Sequence, residues 1–490
     1  MSPKTDQMKY VDALADSRRK CSLQIRLLIG TLDPIWETGL FLAVNPFSLR
    51  GACRTILDNV DPRTVLRGAR WPGDIAVEGG SITSIGAVEP RAGDRVLSCE
   101  GCLVTAGLVN THHHLYQWMT RGRATGCDLF TWLDTLYPVW GRLSVEDVAA
   151  AALVGLSELA LGGATTVSDH HYVVPHGDDS VFDVIAAAAR SVGVRLHLCR
   201  GSMDLGESAG GLPPDSIVES IDAILASTEA VAGRLHDGER VTVAVAPCSP
   251  FSVSTDLMRE SAAMARRLGL RLHTHLAETV DEQRDCIARF GRRPLELMEE
   301  VGWIGGDVWF AHGIHLDQSE IRRIGTSGTG VAHCPSSNAR LGAGICPVRD
   351  LLDAGAKVGL GVDGPASNET GVLLPELRQA LLFARQRAGR PDALSPSEAL
   401  EIGTAGGAAC LGRSDFGRLE VGAAADIAVW PADDLADLPD PVDGLVLGPD
   451  RRVRHLLVAG EEVVIDGNLI GVDIRQAHAE LAQRARRLWT

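Results

Sequence analysis

The chain has 490 residues, 45% of them hydrophobic, which is enough for one large core and a smaller second one and excludes a fibrous or disordered protein. A formal net charge of −16 would repel a phosphate backbone, so a nucleic-acid polymer is excluded as a partner and a small-molecule ligand is expected. Eleven cysteines without a regular spacing, and no secretory signal, point to reduced thiols in a cytoplasmic protein.

Residues 1–60 show no core pattern and are read as an N-terminal extension. The run 27–44 is apolar but contains Asp33, Pro34 and Glu37, which argues against a membrane span. Short strands joined by glycine turns begin with TVLRGARWPGDIAVEGGSITSIG at 64–86. Cys99 and Cys102 form a CxxC with no second pair to complete a zinc site, so they are read as two small buried residues. From about 103 to 411 an apolar β-rich run followed by an Ala/Leu/Arg-rich helical run recurs. The strand candidates are CLVTAGLVN, ATTVSD, VRLHLC, VTVAVAP, LRLHTHL, VWFAH, GVAHC and KVGLGVD. This predicts an α/β fold, a (β/α)8 barrel over 106–411, with its site at the C-terminal ends of the strands. ADIAVW and HLLVAGEEVVIDG are again short strands. They are expected to join 61–105 in a small β-sandwich domain built from both chain ends, 61–105 with 412–475, before a C-terminal helix at 476–490.

The predicted barrel strands end in HHH, DHH, RGS, PCS, HLAE, HGIH, HCPSSN and DGPASN. So many polar groups at the ends of apolar strands are costly to bury unless they converge on a site. His112 and His114 stand at i and i+2 and leave an extended chain on one face, whereas His113 leaves on the other. His275 ends another strand, Glu278 follows as the chain turns over the barrel mouth, and Asp363 closes the eighth strand ahead of a glycine. Taken singly, each histidine could equally be an isolated core residue. Together, three histidines and a carboxylate suit a divalent metal such as zinc, with a position open for water. Lys4, Lys9, Lys20 and Lys357 are the only lysines, so strands one to seven offer none to bridge two metals and one metal per chain is expected. Lys357 begins strand eight, at the face opposite the site, which disfavours a Schiff-base enzyme.

NTHHHLYQ, LHTHLAETVDE, FAHGIH, HCPSSN and GLGVDG resemble the amidohydrolase superfamily, in its branch of mononuclear zinc aminohydrolases acting on purines, pterins and triazines. The resemblance runs from about 65 to 471. LFTWLDTLYPVW, DHHYVVP, RGSMDLGESAGGLPP, APCSPFSV and GICPVRDLLDAGA are similar to the 8-oxoguanine deaminases within that branch. The resemblance implies one Zn2+ per chain, with Fe2+ as the alternative, held by His112, His114, His275 and Asp363. It implies that Glu278, His312 and Asp363 serve the chemistry, and that the protein is a homodimer or higher homo-oligomer. The implied reaction is hydrolytic deamination of a free aminopurine, 8-oxoguanine and water giving urate and ammonia. The alternatives are an s-triazine or pterin hydrolase on the same scaffold and, more remotely, a non-catalytic scaffold with a broken ligand set. Two positions depart from the family pattern: Ala106 stands where a proline is usual, and Pro365 stands where a serine is usual in DGSASN.

The substrate contacts are read from chemistry. The Gln117 amide offers a donor and an acceptor side by side, matching a purine edge, or braces a loop. Arg200 carries a planar fork suited to a ring carbonyl, or makes a structural salt bridge. Trp132 and Tyr137 cover a flat ring or pack the loop after strand one. His170, His171, His315 and His333 lie near the mouth, and His333 is expected to orient Asp363 or His312.

Overall fold

The computed structural model describes residues 63–489; the expectation for residues 1–60 lies outside them. Eight parallel strands close a barrel: β6 (Leu108–Asn110), β7 (Ala164–His171), β8 (Arg195–Ser202), β9 (Val241–Pro247), β10 (Arg271–Leu276), β11 (Val308–His312), β12 (Gly330–His333) and β13 (Lys357–Leu360). They fall in the eight predicted segments, in order, although the first takes only the end of its segment. Their residues are almost entirely buried, as expected of strands covered by helices outside and by packed side chains within.

Two smaller sheets accompany the barrel. One is antiparallel except for one parallel edge pair and contains β1 (Thr64–Arg67), β2 (Asp74–Glu78), β3 (Ser81–Gly86) and β4 (Arg95–Ser98). The other joins β5 (Cys102–Ala106) to β14 (Ile427–Pro431), β15 (His455–Val458), β16 (Glu461–Ile465) and β17 (Asn468–Leu469). Leu66, Ile75 and Val77 from the first sheet share a core with Val104, Ile427 and Leu457 from the second. Segments from either side of the barrel thus meet in a two-sheet β unit, with Cys99 and Cys102 buried in that core.

The stretch expected to be one barrel strand, 102–110, is two. Cys102–Ala106 pairs antiparallel with β14, and only Leu108–Asn110 enters the barrel. Gly107 makes the crossing, because a Cβ there would lie 2.2 Å from Thr165 Cγ2. Ala106 pairs with Ile427, below the barrel mouth. The C-terminal helix Ile474–Leu488 begins on an Asp473 cap and is tied by Arg484 to the buried Asp147 of the helix Val145–Leu161. Among the described residues no helix is long and apolar enough to cross a membrane.

Candidate active site

The chain stays extended beyond β6, held down by Asn110, whose Oδ1 accepts the Val362 N–H at 3.1 Å. His112 and His114 therefore leave one face toward the barrel axis. His114 Nε2 lies 3.1 Å from His275 Nε2 and 3.2 Å from Asp363 Oδ1, and His112 Nε2 lies 3.5 Å from the same oxygen. Ligand atoms at 2.0–2.1 Å from one tetrahedral ion sit about 3.3 Å apart, so the spacing fits a zinc-sized cation. The imidazole tautomers agree. A carbonyl can only accept, so His114 Nδ1–H donates to His170 C=O and His275 Nδ1–H donates to Cys248 C=O, both at 2.6 Å. His273 likewise donates from Nδ1 to Trp309 C=O at 2.9 Å, which leaves its Nε2 to accept from His112 Nδ1–H at 2.8 Å. All three Nε2 lone pairs are left facing the cluster. His112 Nε2, buried, has no hydrogen-bond partner among the described residues. Burial holds His112 and His275 well below the usual imidazole range, hence neutral. His170 adds a nearby ring: ligand atoms of His112, His114, His170 and His275 lie within 4.8 Å of one another.

Glu278 and His312 stand beside this cluster. His312 Nδ1–H donates to Asn338 Oδ1 at 2.9 Å, leaving Nε2 as an acceptor 3.7 Å from Glu278 Oε2. Asp363 Oδ2 accepts from the Ser337 hydroxyl at 2.6 Å and the Ser367 hydroxyl at 3.4 Å. Burial, reinforced by the Asp363 charge, pushes the Glu278 carboxyl up to about 8. Burial also pushes Asp363 up, but the close approach of His112 and His114 to its Oδ1 outweighs that and holds it well below the usual carboxylate range. One carboxyl thus keeps a proton at neutral pH while its neighbour is ionised, an acid and a base in one site. Ala277, His312 and Asp363 have φ of 53°, 72° and 63°, a left-handed conformation costing about 1–3 kcal/mol per non-glycine residue and kept where surroundings enforce it.

A narrow cleft opens on these groups, lined by His114, His275, Glu278, His312 and Asp363 and by Gln117, Trp132, Leu133, Tyr137, Tyr172 and Phe251 among others. The 3₁₀ turn Leu115–Thr120 carries Gln117, which packs on Gly364 so closely that a Cβ there would sit 1.7 Å from Gln117 Oε1. That oxygen is buried without a partner among the described residues. Trp132 is fixed by its indole N–H to Ala366 C=O at 3.1 Å, and Tyr137 reaches Met203 Sδ at 3.7 Å. Pro365 opens the turn that returns Ser367 to Asp363, so this departure leaves the carboxylate held.

Two expectations need correction. Arg200 does not reach the cleft: its guanidinium binds Glu219 at 2.8 and 3.0 Å, Ser227 Oγ at 3.0 Å and Gly201 C=O at 2.7 Å. It shares the parity of Leu196 and Leu198 on β8, whose side chains pack in the outer core, so it points away from the barrel axis. His333 orients neither Asp363 nor His312, since both its ring nitrogens lack partners among the described residues. It shares the outward parity of Val331 on β12. Asn338, Ser337 and Ser367 do the orienting instead. They lie in HCPSSN and DGPASN, two strand ends marked as polar, but their roles depend on how the loops turn.

A sequence model of the amidohydrolase family matches residues 103–463. The chain belongs to the amidohydrolase family. This amidohydrolase is 48% identical to an 8-oxoguanine deaminase of Pseudomonas aeruginosa over 76% of this chain and 84% of that one. It is 40% identical to an isoxanthopterin deaminase from an unknown prokaryotic organism, covering 86% and 93% of the two chains. An atrazine chlorohydrolase of Arthrobacter aurescens, solved in complex with zinc, superposes with a TM-score of 0.81 at 32% identity over 86% of this chain and 100% of that one. The protein is a hydrolytic enzyme of the deaminase and hydrolase kind acting on carbon–nitrogen bonds.

Proposed function

We propose that this amidohydrolase deaminates a free aminopurine, converting 8-oxoguanine and water to urate and ammonia. The observation that carries the reading is a buried carboxyl, Glu278, 3.7 Å from His312 Nε2 and beside the cluster of His112, His114, His275 and Asp363, in a cleft that also presents the unpartnered Gln117 amide oxygen. The likeness to an 8-oxoguanine deaminase supports the choice of substrate.

His112, His114, His275 and Asp363 hold one metal ion in this proposal, zinc before ferrous iron. When bound, such an ion supplies a Lewis acid that lowers the pKa of water to about 7. Gln117 pairs with the purine edge, between the aromatic side chains of Trp132 and Tyr137. His312 Nε2 accepts a hydrogen bond from the attacking water and orients it, because Asn338 holds the ring's other nitrogen as donor. Glu278 gives its proton to the ring nitrogen next to the attacked carbon, which draws electrons away from that carbon. Asp363 takes the water's proton and passes it to the 2-amino group, which leaves as ammonia, while the hydroxyl left on the carbon returns a proton to Glu278 and becomes the ring carbonyl. The carbon gains an oxygen and loses a nitrogen. A cytoplasmic homo-oligomer completes the proposal; all nine described cysteines are unpaired.

A pterin is the second reading, favoured by the 93% coverage of the isoxanthopterin deaminase. Ammonia release from 8-oxoguanine, guanine, isoxanthopterin and an amino-s-triazine, compared by kcat/KM, separates the readings. The purine proposal fails if the pterin or the triazine is turned over faster than 8-oxoguanine.

A further inference from the structure

Helix Val280–Phe290 opens with Thr279-Val-Asp-Glu282, the pattern of a reciprocal capping box, in which the third-position glutamate would return to the cap residue's own N–H. Only half of that box forms. Thr279 Oγ1 accepts the Glu282 N–H at 3.1 Å, but the Glu282 carboxylate reaches past the cap. Its Oε1 accepts the Ala277 N–H at 2.9 Å and its Oε2 the Glu278 N–H at 2.7 Å. Glu282 is 1% exposed, so both bonds are shielded from water and neither N–H group has a solvent partner to replace it.

The two N–H groups belong to the turn that presents the proposed acid. Ala277 has a φ of 53°, a conformation an alanine keeps only under constraint. Its peptide is gripped from both sides, because the Ala277 carbonyl accepts the N–H groups of Ile314 and His315, each at 2.9 Å. Those residues lie two and three positions after His312, itself at a φ of 72°. One buried carboxylate thus closes a backbone clamp that fixes Glu278 relative to His312.

We infer that Glu282 is a positioning residue for the deamination, acting through the backbone of Glu278 and touching neither substrate nor metal. The inference rests on Glu278 as the acid. A glutamine at 282 keeps the shape but places an NH2 against one of the two N–H groups, so that bond is lost and the turn loosens.

The test uses the full-length metal-loaded protein as four forms: parent, Glu278→Gln, Glu282→Gln and the double variant. Glu282→Gln should lower kcat about 10- to 100-fold, the scale of a small misplacement of a reacting group, with KM and metal content within about twofold of the parent. In the Glu278→Gln background the same change should cost less than about twofold, because a residue acting through Glu278 has nothing left to position. A full loss repeated in that background, or a metal content falling in step with activity, overturns the inference. Near-normal turnover of Glu278→Gln would instead overturn the acid assignment. If Glu282→Gln fails to fold, hydrogen exchange on the parent protein decides: slow exchange at the Ala277 and Glu278 amides supports the clamp, and fast exchange there overturns it.

Discussion

Replacing Gly364 by alanine should weaken substrate capture without touching the metal site. The Gly364 φ lies outside the left-handed region, so an alanine is allowed by the backbone, and its N–H still donates to Asp363 Oδ1 at 2.8 Å. The new methyl group would lie 1.7 Å from Gln117 Oε1 and 2.1 Å from its Cδ, so the amide must swing away. If Gln117 makes two hydrogen bonds to the ring, at about 0.5–1.5 kcal/mol each, their loss raises KM by about 5- to 140-fold at about 1.4 kcal/mol per decade. Gln117→Ala should give a similar rise, and the double variant no more than either single one, since both remove the same contact. Steady-state kinetics with metal analysis on all three variants tests this. An unchanged KM in Gly364→Ala, or losses that multiply in the double variant, would refute the placement of Gln117 against the substrate.

Arg200→Ala should leave KM unchanged but destabilise the fold by about 3–5 kcal/mol, because it strips the partner from Glu219 in a buried pair; denaturant unfolding beside kinetics checks both halves, and a raised KM at normal stability would restore Arg200 as a substrate contact. The Glu278 carboxyl, raised from 4.5 to about 8, binds more protons in the native than in the unfolded state between those values. Its contribution is therefore present below about pH 4.5 and lost as the pH rises to about 8. Metal-free Glu278→Gln should lose less stability across that window than the metal-free parent, and identical pH profiles in thermal unfolding would contradict the shift. For the same reason kcat of the loaded enzyme should fall toward high pH as the acid loses its proton, although the charge of a bound ion draws that limb lower.

Much of the barrel was legible because each strand is an apolar run between helical stretches, and hydrophobic burial enforces that pattern on every barrel of this type. His112, His114, His275 and Asp363 were legible for a related reason: spacing fixes the face of an extended chain, and strand ends fix the depth. The same pleat, counted one step further, separates Arg200 from the site, since its parity is that of Leu196 and Leu198. Chemical suitability drew it toward the substrate where geometry places it outside. Asn338, Ser337, Ser367 and Glu282 were hidden for a different reason. Each works through a loop whose path follows from tertiary packing, as when the Glu282 carboxylate bypasses its own helix cap to hold Ala277 and Glu278. The break of 102–110 at Gly107 belongs with them, because nothing in the local pattern reveals that Thr165 occupies the space of a side chain there.

The central claim is a metal-dependent conversion of 8-oxoguanine to urate, and the most direct measurement follows urate by its ultraviolet absorbance with purified protein. Urate and ammonia should form in equal amounts, cease after removal of the metal by a strong chelator, and return on adding about one equivalent of zinc per chain. No urate from the zinc-loaded protein, or formation that persists at full rate in protein shown to be metal-free, would contradict the account.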